Sequence, residues 1–133
     1  MFLTIIFVLA LHLIADFVLQ PNWIQTYKSR NNLVLLLHVV IYAYVLAIGA
    51  LFLGTWKNAI LFGVANGALH YAVDFVTSRI ITWQAKKLQL SDVSNVEEKP
   101  LFERVDLYSL SVLLGVDQLL HQACLVITLP ILL

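Results

Sequence analysis

Leu11–Gln20, LHLIADFVLQ, sets a histidine, an aspartate and a glutamine at positions 12, 16 and 20 of an otherwise apolar run. Four-residue spacing on a helix stacks such side chains on one face. An ionisable pair inside a hydrophobic segment costs several kcal/mol unless a partner compensates it, so the stretch reads as part of a site. The rest of the chain offers the partners. HxxxD returns at His70 and Asp74, its mirror DxxxH stands at Asp117 and His121, and the remaining histidine, His38, also lies in an apolar run.

The surrounding composition says which solvent these groups meet. Of 133 residues, 61% are hydrophobic and 12% charged, against about 25% charged in an ordinary soluble domain. A net charge of zero gives no reason to expect nucleic acid as a partner. The single cysteine, Cys124, excludes an intrachain disulfide and any CxxC motif; it reads as an apolar filler. The first segment lacks a basic n-region and a small-x-small cleavage site, so it is expected to be a retained span and no signal peptide.

Four apolar stretches approach the roughly 20 residues a helix needs to cross a bilayer. They run from about 2 to 20, 33 to 53, 58 to 82 and 108 to 129, which predicts an all-α polytopic membrane protein, a four-transmembrane-helix bundle forming a single domain over 1–133. Pro21 closes the first span. NWIQTYKSRNN, residues 22–32, holds Trp23, Tyr27, Lys28 and Arg30, the mixture expected of a short interfacial helix or turn. Gly63 and Gly67 form a small-xxx-small pair on the third span, suited to close helix approach. Residues 84–104 are the one long polar stretch, expected as a helical extension of span three followed by a turn, with Pro100 opening the next helix; Pro130 lies near the end of span four.

Lysine and arginine set the orientation. The loops after spans one and three hold Lys28, Arg30, Lys86, Lys87, Lys99 and Arg104, against Lys57 on the other side. Those loops are therefore predicted cytoplasmic and both chain ends outside, periplasmic in a bacterial inner membrane. In that orientation every HxxxD and the reversed DxxxH place aspartate nearer the cytoplasm and histidine about 6 Å deeper. His38 falls at a similar level. One cluster in the cytoplasmic half can gather His12, Asp16, His38, His70, Asp74, Asp117 and His121.

Imidazole with carboxylate suits zinc, manganese or iron. Seven candidate ligands exceed the three or four of a single catalytic zinc and allow either two ions or one ion with outer carboxylates orienting the histidines. Gln20, Asn66, Ser78 and Gln118 flank the cluster at helical spacing and are candidates for orienting ligands. Tyr42, one turn after His38, is in reach to donate a hydrogen bond, although interior packing is its default role.

HLIADFVLQ, LLLHVVIYAYV, LHYAVDF and GVDQLLH together resemble a family of small bacterial and phage membrane proteins of unknown function. Its pattern is an HLxADFxLQ first helix, a histidine in the second, an HxxxD third and a DQxxH last. The resemblance covers all four spans and carries over His12, Asp16, Gln20, His38, His70, Asp74, Asp117, Gln118 and His121. More distantly the chain is similar to membrane-bound proteins labelled metal-dependent hydrolases, which implies a bound metal and hydrolysis.

The leading expectation is a metal-dependent membrane hydrolase acting on a phosphoester or related bond of a lipid-linked substrate, with Asp74 or Asp117 as general base. A divalent-metal or proton transporter would use the same residues, and a homodimer would supply the helices that one chain lacks for alternating access. Electron transfer through haem held by paired histidines would leave three aspartates without a role. A small anchoring or interaction protein would use none of them.

Overall fold

The computed structural model describes residues 1–91 and 107–133, the side chains of 84–91 and 107–110 apart. The chain is all-α. Helix α1 spans Phe2–Leu13 and passes directly into a π-helical turn, Ile14–Val18; α2 is Asn22–Tyr27, α3 Asn32–Ala50, α4 Trp56–Ser91 and α5 Leu107–Leu132. Three helices, Asn32–Ala50, Trp56–Trp83 and Ser111–Leu132, are long and apolar enough to cross a membrane, and Phe2–Val18 is a shorter apolar one. Together they point to a multi-pass membrane protein.

The local sequence explains where these elements start and stop. Pro21, extended at ψ 153°, leads into α2. Asn31 caps α3 by accepting a hydrogen bond from the Leu33 amide at 2.9 Å, the usual use of asparagine before a helix. The helix α4 runs through the apolar segment and on to Ser91, so the expected extension of span three is present; the expected turn and the Pro100 helix start lie outside the described residues. Pro130 is inside α5, not beyond it. Its missing N–H removes one bond to the preceding turn, and the helix continues past it, with Leu133 N–H reaching Leu129 O at 3.0 Å.

The first span departs from expectation. Twelve α-helical residues are followed by five in the π turn, where Leu19 N–H bonds Ile14 O at 2.9 Å across five residues. The helix therefore stops two residues short of Gln20, and at about 1.5 Å per residue it reaches roughly 25 Å, less than the hydrocarbon thickness of about 30 Å. The widened turn carries the buried pair Ala15 and Asp16. Short π segments are frequent at functional positions.

Polarity is arranged inside out. Exposed positions include Phe2, Leu3, Val40, Ile60, Leu61, Val64, Leu119 and Ile127, while every histidine and three aspartates are buried. In lipid this is the favourable distribution, since apolar side chains lose nothing by facing acyl chains and polar ones must find partners in the bundle. One half of the interior is dry: Val8, Leu46, Ala50, Ala59, Phe62, Leu125 and Leu129 pack together there. The other half holds the histidines and carboxylates. Helices α3 and α4 come closest along Gly63 and Gly67, where an added Cβ would lie 2.6 Å from the Ala43 carbonyl oxygen and 2.8 Å from Ala43 Cβ respectively.

Candidate metal centre

Four elements deliver the cluster: α1 with its π turn brings His12 and Asp16, α3 brings His38, α4 brings His70 and Asp74, and α5 brings Asp117 and His121. Asp16 is 4% exposed, Asp74 3% and Asp117 8%, so water does not solvate the three carboxylates and the bundle has to.

The tightest convergence joins α1, α3 and α4. His38 Nε2 lies 3.1 Å from Asp16 Oδ1 and 3.0 Å from His70 Nε2, and His70 Nε2 is 3.6 Å from the same Asp16 oxygen. Asp74 Oδ2 stands 3.7 Å from both ring nitrogens. A tetrahedral ion with bonds of about 2.0 Å holds its donors about 3.3 Å apart, so these separations fit the edges of one coordination polyhedron. Two ring nitrogens facing each other at 3.0 Å need a proton or a cation between them. A second grouping, His70, Asp74 and His121, shares His70 with the first, and in each group the donor atoms lie within 4.8 Å of one another. His70 Nδ1 and both nitrogens of His121 are buried without a hydrogen-bond partner. Buried polar atoms left in this state are rare and ask for an explanation such as an ion. The donor set of neutral imidazole and carboxylate suits zinc, manganese or iron.

The structure does not bring His12 or Asp117 into either group. Asp117 accepts from Thr77 Oγ1 at 2.7 Å through one oxygen and faces Gln118 Nε2 at 3.3 Å and His121 Nδ1 at 3.5 Å through the other. His12 is held at both ends, Nδ1 to the Tyr42 hydroxyl at 3.1 Å and Nε2 to Gln118 Oε1 at 3.0 Å.

The direction of that last chain is forced by donor chemistry. Gln118 Nε2 lies against two carboxylates, 3.0 Å from Asp16 Oδ2 and 3.3 Å from Asp117 Oδ2, and ionised carboxylates only accept. The amide nitrogen must face them and its oxygen must face His12, so His12 carries its proton on Nε2 and its Nδ1 accepts from Tyr42. Tyr42, His12 and Gln118 thus form an arm that fixes Asp16 through Oδ2 and turns Oδ1 toward His38 and His70. Tyr42 also stacks on the His70 ring, centroids 3.9 Å apart. Loss of outer partners of metal ligands typically costs 10- to 100-fold in affinity. Gln118→Leu is accordingly expected to weaken metal binding by about 10- to 100-fold at unchanged helicity, measured by chelator competition and circular dichroism.

Among the flanking candidates, Gln118 is the one bonded to cluster residues on both sides. With the Gln20 amide oriented as its neighbours require, its nitrogen donates to Asp16 O at 2.7 Å and its oxygen accepts from Lys28 Nζ at 3.2 Å. Asn66 is satisfied elsewhere, by Phe62 O and Thr128 Oγ1. Ser78 Oγ turns to the Phe75 carbonyl and meets Arg79.

Three contributors lie outside the sequence reading. Lys28, expected as a topology determinant, reaches back to Asp74 Oδ2 at 2.8 Å. Thr77 fixes Asp117. Arg79 bonds Ser29 O at 3.1 Å and the Asn32 side chain, and its guanidinium sits over the Phe75 ring, pinning the α2–α3 connection to α4. An arginine near the end of an apolar helix was one available signal, and Thr77 shares the face of His70 and Asp74 at i+7 and i+3; no periodicity marks Lys28.

A family model described as "Protein of unknown function (DUF3307)" matches residues 3–132. No curated protein and no solved structure matches the chain.

Proposed function

The chain belongs to the DUF3307 family, and from that premise we propose that it is a membrane-embedded, metal-dependent hydrolase whose substrate is a lipid-linked phosphoester or related compound. The observation that carries this reading is the convergence of Asp16 Oδ1, His38 Nε2 and His70 Nε2 within 3.0 to 3.6 Å, three donors with further carboxylate beside them, as catalytic metal sites are built. A divalent ion bound there supplies Lewis acidity toward a phosphoryl oxygen and makes water a usable nucleophile near neutral pH.

The chain's own groups then divide the remaining work. Asp117 accepts from Thr77 and Gln118 through its two oxygens and lies 3.5 Å from His121 Nδ1, which suits it to orienting that ring. Asp74, with its second oxygen turned toward His121 Nε2 at 3.7 Å, is the better general base. Lys28 stands at the polar rim of the bundle, 18% exposed, where an anionic headgroup would approach. By the distribution of basic residues that rim faces the cytoplasm of a bacterial cell.

Transport and haem binding receive less support. The apolar half of the interior, from Leu46 and Phe62 to Leu129, offers an ion little beyond Asn66 and Thr128, which are hydrogen-bonded to each other. The His38 and His70 nitrogens, 3.0 Å apart, leave no room for a porphyrin between them.

The test is elemental analysis of detergent-purified protein followed by a panel of lipid phosphates. The wild type is expected to carry zinc, manganese or iron and to release phosphate or a phosphorylated headgroup. Asp74→Asn is expected to keep its metal while turnover falls by about 100-fold or more, the contribution of a general base. A natively folded wild type that takes up no divalent ion ends the proposal.

A further inference from the structure

We infer that the centre holds a single divalent ion, with the Lys28 ammonium holding the Asp74 oxygen that would otherwise bridge it to a second ion. This rests on the proposed metal site and specifies its occupancy.

Charge is the first ground. Among the described residues, Asp16, Asp74 and Asp117 are the buried carboxylates and Lys28 is the cation bonded among them. With neutral histidines, three negative charges and one positive leave two negative. Arg79 does not change this sum, because its partners are the Ser29 carbonyl, the Asn32 and Ser78 side chains and the Phe75 ring. One divalent ion brings the cluster to neutrality. A second would leave two positive charges without a described counter-charge in a low-dielectric interior, where unpaired charge is strongly disfavoured.

Position is the second ground. Two groupings share His70 and neighbour each other through Asp74, the arrangement in which a carboxylate would bridge two ions, one oxygen to each. Asp74 Oδ1 faces His121 Nε2 at 3.7 Å. Its Oδ2 lies 3.7 Å from the His38 and His70 nitrogens and already accepts from Lys28 Nζ at 2.8 Å. The ammonium therefore occupies coordination space at the bridging residue. Gln20, with its amide oxygen 3.2 Å from the same nitrogen, holds it there.

The experiment uses the full chain in detergent, saturated with manganese or zinc and freed of loosely held ion. The wild type is expected to retain one ion per chain, and its manganese form to give an uncoupled single-ion paramagnetic resonance spectrum. Lys28→Met, checked for native helicity, is expected to retain two ions, with an exchange-coupled manganese signal, while Lys28→Arg stays at one. Two coupled ions in the wild type would overturn the inference and leave the metal site standing; so would a folded Lys28→Met that stays at one. A wild type retaining none would remove the metal reading itself. Should Lys28→Met not fold, the wild-type stoichiometry and spectrum still decide.

Discussion

Protein carrying His70→Ala is expected to be purified without metal and without hydrolytic activity, its helices intact. His70 belongs to both candidate groupings, its Nε2 faces His38 at 3.0 Å, and its ring is clamped on the Tyr42 face. Removing it takes away a donor and opens a void beside the others. The loss of affinity should exceed the roughly 100-fold upper range seen when an outer partner of a ligand is removed. Metal content by elemental analysis, with far-UV circular dichroism as the control for folding, provides the measurement. Wild-type metal content in the variant would move the ion away from this cluster. The parallel substitution His12→Ala separates ligand from positioning residue: an arm that only orients Gln118 should weaken binding and not abolish it.

The second large effect is expected from Gly63→Leu. A Cβ at Gly63 would meet the Ala43 carbonyl oxygen at 2.6 Å and the Ala47 methyl at 2.7 Å. A backbone oxygen cannot rotate out of the way, so α3 and α4 must part. The cost should reach about 3 kcal/mol or more, the upper range for overpacking. Because α3 carries His38 and α4 carries His70, the same displacement breaks the closest donor pair, and stability and metal should be lost together. Gly115 offers the control, since a Cβ there has nothing within 4 Å and Gly115→Leu should be nearly neutral. Thermal unfolding in detergent, with metal content read on the same samples, compares the two.

Much of this could be read from residue spacing because helices in lipid leave few choices. Polar side chains in apolar runs must face inward, so HxxxD and DxxxH on antiparallel helices converge on one level, and Gly63 with Gly67 must mark a close crossing. The short helix expected within residues 22–32 is present as α2. What spacing could not convey was how seven convergent groups would divide among themselves. His12 and Asp16 look equivalent to His70 and Asp74 on a regular helix, yet the π turn sets Asp16 on a different footing from His12, and such turns arise from tertiary fit with no local sequence mark. Lys28 was legible as a basic residue at the interface. Its return to Asp74 depends on a long flexible stem and on how α2 folds under the bundle, neither of which has a period. Thr77 and Asp117 meet across 40 positions of chain, a pairing that no short motif encodes.

The dry half of the bundle has a bearing on supply. With Val8, Leu46, Phe62 and Leu125 packed together at one end, the partly exposed Lys28 marks the end by which a cation would reach the imidazoles. The ion recovered from cells would then reflect which metal is free in that one compartment at the time of folding, more than the intrinsic ranking of the donors for copper over zinc, iron and manganese.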